Sequence, residues 1–305
     1  MNELLNKFYS LDIIGIIKIN DKLFRIKTKE NKYYCIKYIE KDNDNIFSNL
    51  SLLNINSFVI PYINNYGSYI SNHNDKYFYL IDWYNDEPVL VKEIRMKFFI
   101  EELIKLHQKS MYNLNINKGH FEEIFIELEK SILEEEKNID NYLYTIERKE
   151  YKSPSEWLFL LNNNKFRNSL NKAKEYLKKF KNTINDLNEI RISLNYLNFD
   201  FHNIIIKHQK IIGIDKIKKG SIINDLYDIF NKSFTYSIDI ALYFKLYFKE
   251  IKLLDYEIYW FLALIMIPFN EYNNYNEIDK IIEITKMIYK INVSDNIEKI
   301  LLENN

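Results

Sequence analysis

The chain has 305 residues, of which 47% are hydrophobic and 28% charged, a balance that fits a folded globular protein and excludes a disordered one. A formal net charge of −1 excludes bulk attraction to nucleic acid or anionic lipid, so neither is expected as a partner. A single cysteine, Cys35, excludes an intrachain disulfide and an all-thiolate metal site, and five scattered histidines without an H-x-x-x-H pair argue against zinc.

The N-terminal "MNELLNKFYSLDII" has no basic start before an apolar core and does not read as a secretory signal. Three β-branched and aromatic runs follow, at 12–19, 22–28 and 32–39, separated by "ND" and "KEN", and predict an antiparallel meander. A short helix is predicted within 45–55, then strands over 66–71 and 76–83 around the polar turn "NHND". "YNDEPVL" breaks the pattern, with Pro88 as punctuation and a connector near 82–88.

From about residue 90 the apolar period becomes helical. Ile94, Phe98, Phe99, Leu103 and Leu106 form a stripe, and long amphipathic helices are predicted over 119–150 and 155–182, their charge runs read as solvated faces. The segment 195–215 is a β-like interruption, "NYLNFDFHNIIIKHQKIIGID", and helices return from "SIINDLYDIFNKS" onward. "IYWFLALIMIPF" at 258–269 is too short to span a bilayer and reads as a buried helix. The expected architecture is α+β: a β-rich lobe over 1–84 and a helical lobe over 85–305 with an embedded hairpin near 203–215, and ligands favour the cleft between two such lobes. Few glycines and prolines among many Ile, Asn, Lys and Tyr residues fit an AT-rich genome. The 25 tyrosines also offer material for oxidative cross-linking, on composition alone.

Strand alternation puts Tyr33, Cys35 and Lys37 on one face. Lys37 reads either as one more solvated strand lysine or as a cation aimed at the phosphates of a nucleotide, with Cys35 packed on its base. Asp82, Trp83 and Tyr84 end the last strand where the chain crosses, a place where backbone can meet an adenine edge. His107 reads as a satisfied core histidine.

These pieces, in this order, resemble the protein-kinase-like fold, in its aminoglycoside phosphotransferase and choline kinase branch. More closely, "YCIKYI", "LHQKS", the loop "YLNFDFHNII" and "DKIKKGSIINDLYDIF" resemble the CotS-type spore coat proteins, degenerate relatives in that branch. The resemblance spans nearly the whole chain. It implies the two-lobe kinase-like fold and a role by binding or assembly with other coat proteins, after synthesis in the mother cell.

The active pattern in that branch is H-G-D-x-x-x-x-N followed by a hairpin ending in I-D. Its first aspartate is the base, while its asparagine and second aspartate hold Mg²⁺. Counting back from Asn203 puts Asn198 at the base position, with Tyr196 and Leu197 in place of His and Gly. An amide accepts no proton at neutral pH, so no catalytic residue is expected there, with Asp200 the one nearby substitute. The vestigial metal pair is Asn203 and Asp215, but two registers stay open: counting back from Asp225 puts Gly213 at the metal position instead. The first strand pair holds only Gly15, so no Gly-rich flap exists. The helix after Lys37 carries no acid to pair with it beyond Glu40, Asp42 and Asp44, which come early. The expectation is therefore a pseudokinase-like spore coat protein with no cofactor. The alternative is an ATP- and Mg²⁺-dependent kinase of a small-molecule hydroxyl, and a third reading is an α+β protein with an unrelated ligand.

Overall fold

A computed structural model describes residues 2–85, 92–268 and 276–303. The break around Pro88 and the end of the apolar run at Phe269 lie outside the described residues. By packing, the chain divides into two compact units, residues 1–110 with 194–219, and residues 111–193 with 220–305. This division cuts across the change of period near 85, because the first long helix and the 195–215 loop group with the sheet.

The first unit is built on a five-stranded antiparallel sheet in the order β1-β2-β3-β5-β4: β1 (Ile13–Lys18), β2 (Leu23–Thr28), β3 (Tyr33–Ile39), β4 (Ser71–His73) and β5 (Lys76–Asp82). The β2–β3 turn uses Asn31 in the left-handed region, which Asn tolerates better than most residues. A helix that the sequence reading did not anticipate, α1 (Asn2–Tyr9), covers one face of this sheet. Its Leu5 and Phe8 form a core with Ile26, Ile36, Phe78 and Leu80. Alternation then sends Cys35, Lys37, Tyr79 and Ile81 to the opposite face.

Residues 66–70 do not form the predicted strand; only 71–73 pair. Two side chains are the cause: the Asn64 side chain accepts from the N–H groups of Tyr66 and Ser68, and Asp44 Oδ1 accepts from those of Tyr69 and Ile70. Side chains take the donors that a ladder needs. Asp44 opens α2 (Asp44–Leu52), which sits inside the predicted 45–55.

Helix α3 (Lys92–Ser110) completes the first unit together with 194–219. Its buried face carries Met96, Phe99, Ile100, Leu103 and Leu106, so the predicted stripe is corrected at its start: Ile94 is exposed. His107 is fully buried, as a core histidine.

In the second unit a short pair, β6 (Tyr112–Asn115) and β7 (Glu189–Asn195), aligns antiparallel, with Tyr112 opposite Ile192. The long helices α4 (Lys118–Glu147) and α5 (Pro154–Ile184) match the predicted segments closely. Helix α5 starts on a Ser153/Glu156 capping box with Pro154 in its first turn, the arrangement that satisfies the orphan N–H groups there. Arg167–Asp140 and Lys174–Glu136 pairs join the two helices. The unit is completed by α6 (Ile222–Ser233), α7 (Ile240–Glu250), α8 (Asp255–Ile265) and α9 (Glu277–Glu303). Helix α8 is the buried apolar helix expected within 258–269. Glu257 on α8 is fully buried and bound by the Arg191 guanidinium from β7. No helix among the described residues is long and apolar enough to cross a membrane.

Candidate functional site

The sheet face opposite α1 lines a cavity of about 760 Å³, and all of its lining residues belong to the first unit. One wall is Cys35, Lys37, Tyr79 and Ile81 from β3 and β5; the rim is Asp82, Trp83 and Tyr84. The β1–β2 turn, Asn20 to Leu23, closes one side where a Gly-rich flap is absent. His202, Asn203, Ile205, Ile212 and Gly213 form the opposite side. The predicted cofactor-binding residues Lys37, Cys35, Asp82, Trp83 and Tyr84 therefore share one cavity. The cavity is apolar in its depth. Burial pushes the Cys35 thiol up to about 12 despite Lys37 nearby, so it is a neutral packing surface rather than a nucleophile. At the rim, the Trp83 N–H is already bonded to the Tyr33 carbonyl at 3.0 Å, and Asp82 accepts from the Tyr62 hydroxyl at 2.8 Å.

The loop opposite is fixed by hydrogen bonds that the sequence could not display. Tyr196 is fully buried, packs on Phe58 and Phe99, and donates its hydroxyl to the Ile212 carbonyl at 2.5 Å. Leu197 takes a left-handed φ of 51°. Asn198 Nδ2 donates to the Gly213 carbonyl at 2.8 Å, and Asn203 Nδ2 donates to the Asn198 carbonyl at 3.0 Å. From α3, the buried Arg95 donates to the carbonyls of Phe201 and Ile204 at 2.7 and 2.9 Å. Asp200 does not line the cavity. Its carboxylate accepts from the His202 N–H at 2.8 Å and caps the helical turn 201–203.

Gly213 settles which residue faces Asn203. It has φ +74°, and a Cβ built on it would lie 2.6 Å from Asn198 Nδ2 and 3.1 Å from Asn203 Cγ. Asn203 therefore meets Gly213, while the Asp215 carboxylate faces Lys37. The Lys37 Nζ to Asp215 Oδ1 distance is 2.5 Å, with both side chains largely shielded, and the Tyr79 hydroxyl donates to the same oxygen at 3.1 Å. Asn43, just before α2, donates to the Asp215 carbonyl at 2.7 Å. The expectation of an unpaired Lys37 is corrected: its partner comes from beyond the hairpin, not from α2. Burial and the Asp215 charge push the Tyr79 hydroxyl well above its ordinary range, so it stays a donor.

This donor set does not fit Mg²⁺. The ion takes oxygen ligands with carboxylates among them, whereas two amides and a glycine converge here and the Asp215 carboxylate is held by an ammonium and a phenol. Among the described residues no three His, Cys, Asp or Glu side chains group as metal ligands.

Sequence reasoning missed Tyr79, Asn43 and Arg95. Tyr79 stands directly opposite Lys37 in the β3–β5 register, a pairing with no local signal. Arg95 had one, a charge on the buried side of an apolar stripe.

No family model matches the chain, and no curated protein matches it. Solved structures do. An aminoglycoside phosphotransferase from Alicyclobacillus acidocaldarius superposes with a TM-score of 0.66 at 12% identity, over 99% of this chain and 95% of that one. The fold is protein-kinase-like, of the aminoglycoside phosphotransferase type. A spectinomycin phosphotransferase in its AMP-bound complex gives a TM-score of 0.55 at 15% identity, over 97% and 96% of the two chains. A spectinomycin phosphotransferase complex with ADP and spectinomycin gives 0.51 at 12% identity. The expected kinase-like fold is therefore present, with its antiparallel sheet in the N-terminal part and its helices in the large C-terminal part.

Proposed function

We propose that this chain is a non-catalytic kinase-fold protein that works by binding and assembly. The observation that carries this reading is the meeting of Asn198, Asn203 and Gly213. On the register that counts back from Asp225 for the metal, the base position holds an amide engaged as a hydrogen-bond donor and the metal position a glycine with no room for a side chain. A site whose parts act as a unit loses most of its rate when one part is missing. Purified protein with ATP and Mg²⁺ should give no phosphotransfer above background to aminoglycosides, choline-like alcohols or itself. Turnover that disappears in Asp200→Ala would overturn the reading and make Asp200 the base.

The setting we infer is the spore coat, with other coat proteins as partners, and it rests on the sequence resemblance to CotS-type proteins. Detection of the chain in the coat fraction of purified spores tests it; absence from spores that express it during sporulation sinks it. The second reading, an ATP- and Mg²⁺-dependent kinase of a hydroxyl, is favoured by the fold and by Lys37 on the cavity wall. The same assay decides it.

A further inference from the structure

We propose that a lysine-lined cavity beside the apolar one binds the phosphate groups of a ligand without any metal ion. This deepens the binding reading above and rests on it. The second cavity measures about 410 Å³ and shares Lys22 and Lys37 with the first, so one ligand can reach from one into the other. Their linings differ in kind. The first offers Cys35, Ile81, Ile205 and Ile212, a slot for a flat apolar body. The second is lined by five lysines, 22, 37, 41, 216 and 218, against two carboxylates, Glu40 and Asp215.

Both carboxylates are engaged. Glu40 pairs with Lys22 at 2.8 Å and Asp215 with Lys37 at 2.5 Å. Lys22 first, with Lys41 and Lys216 adding, holds the Glu40 carboxyl below its ordinary range, so the excess positive charge is felt there. Among the described residues no ion pair engages Lys41, Lys216 or Lys218. These three form a cluster of like charges whose offset in the lining, Glu40, is already paired with Lys22, and an anion with several oxygens relieves their repulsion. The Asn43 bond to the Asp215 carbonyl ties the segment carrying Lys216 and Lys218 to the turn carrying Lys41. The backbone segments that carry the cluster are thereby joined before any ligand arrives, which limits the backbone part of the ordering cost of binding. The charge that a divalent cation would place between phosphates and protein is supplied here by ammonium groups, consistent with a donor set that does not fit Mg²⁺.

The ligand class is a phosphorylated aromatic such as a nucleoside polyphosphate, and three probes separate its parts. Isothermal titration of the full chain with ATP, adenosine and tripolyphosphate, each in EDTA and in Mg²⁺, reads them. ATP should bind in EDTA at least as tightly as in Mg²⁺ and more tightly than adenosine, tripolyphosphate should bind too, and salt should weaken both. The triple variant Lys41→Gln, Lys216→Gln, Lys218→Gln should lose about tenfold or more in ATP affinity, the size expected for lost hydrogen bonds to a charged group, and leave adenosine unchanged. The corresponding triple arginine variant should bind like wild type. ATP binding that requires Mg²⁺, equal binding by the glutamine variant, or no phosphate-dependent binding in EDTA would each overturn the proposal. Phosphate release from ATP in the Mg²⁺ samples would instead overturn the non-catalytic reading, and the EDTA arm would still decide the lysine site.

Discussion

Position 213 leaves no space for a side chain, and its φ of +74° is one that L-residues adopt at a cost. Gly213→Asp should therefore destabilise the protein by about 1–3 kcal/mol, combining strain with the clash against Asn198 and Asn203. It should also fail to create a Mg²⁺ site. Urea unfolding and a Mg²⁺ titration check both halves, and a stable variant that binds Mg²⁺ would show that the loop re-forms around a carboxylate. Cys35 gives a second residue-scale test. With its thiol pushed up to about 12 and 5% exposed, alkylation at pH 8 should be far slower in native than in urea-unfolded protein, as read by mass spectrometry. Equal rates would mean the cavity wall opens freely. Lys37 and Cys35 were legible as wall-mates because strand alternation is a local, two-residue rule. The 213/215 ambiguity was not resolvable by counting. The segment between Asn203 and Asp225 contains helical turns at 206–208 and 214–216, and each changes how many residues a hairpin spans.

The loop 196–205 is an element with its own supports. Arg95 reaches it from α3 with two hydrogen bonds to carbonyls, and charge-assisted bonds of this kind are worth about 1.5–3 kcal/mol each when buried. Arg95→Met should cost about 3 kcal/mol in urea unfolding and raise amide exchange in the 201–204 segment. A cost below about 1 kcal/mol would mean that the loop holds itself. Leu197, in the left-handed region, is a place where a glycine removes strain. Leu197→Gly should be stabilising by up to about 1 kcal/mol unless lost packing offsets it, and a loss beyond about 1 kcal/mol in the same assay would show that packing dominates. At this scale the sequence was readable where elements are long and periodic: α4 and α5 fall within three residues of their predicted ends. It was unreadable at 66–70, where Asp44, more than twenty residues away, captures backbone donors that a strand would have used.

Across the whole molecule, the α+β division was legible from one change of hydrophobic period, from two residues to three or four, near residue 85, while the kinase-like fold came from the resemblance carried by its motifs. The polar exceptions inside the helical unit were not. Glu135 on α4, within a run read as a solvated acidic face, is 2% exposed, and burial raises its carboxyl to about 8. A carboxyl with a folded value above its unfolded one binds its proton more tightly when folded. It therefore favours the folded state at low pH, and that contribution is lost as pH rises from about 4.5 through about 8. Stability should fall across that window by up to about 1.4 kcal/mol per pH unit from this group, as unfolding midpoints at several pH values would show. Glu135→Gln, which keeps the shape and removes the titration, should flatten the profile; an unchanged slope would place its origin elsewhere.

The interlock of Asn198, Asn203 and Gly213 also shapes which sequences lie one mutation away. A carboxylate introduced at 213 alone meets a left-handed backbone and two amides. One introduced at 198 alone loses the donor that holds the Gly213 carbonyl and faces it with like charge. Each single step towards the active pattern passes through a less stable protein, while the amide-and-glycine arrangement tolerates drift at its edges. Selection acting one substitution at a time meets a valley on that side. On the non-catalytic reading proposed above, the chain is buffered against acquiring phosphotransfer by chance, while the cavity walls can diversify around a backbone that holds still.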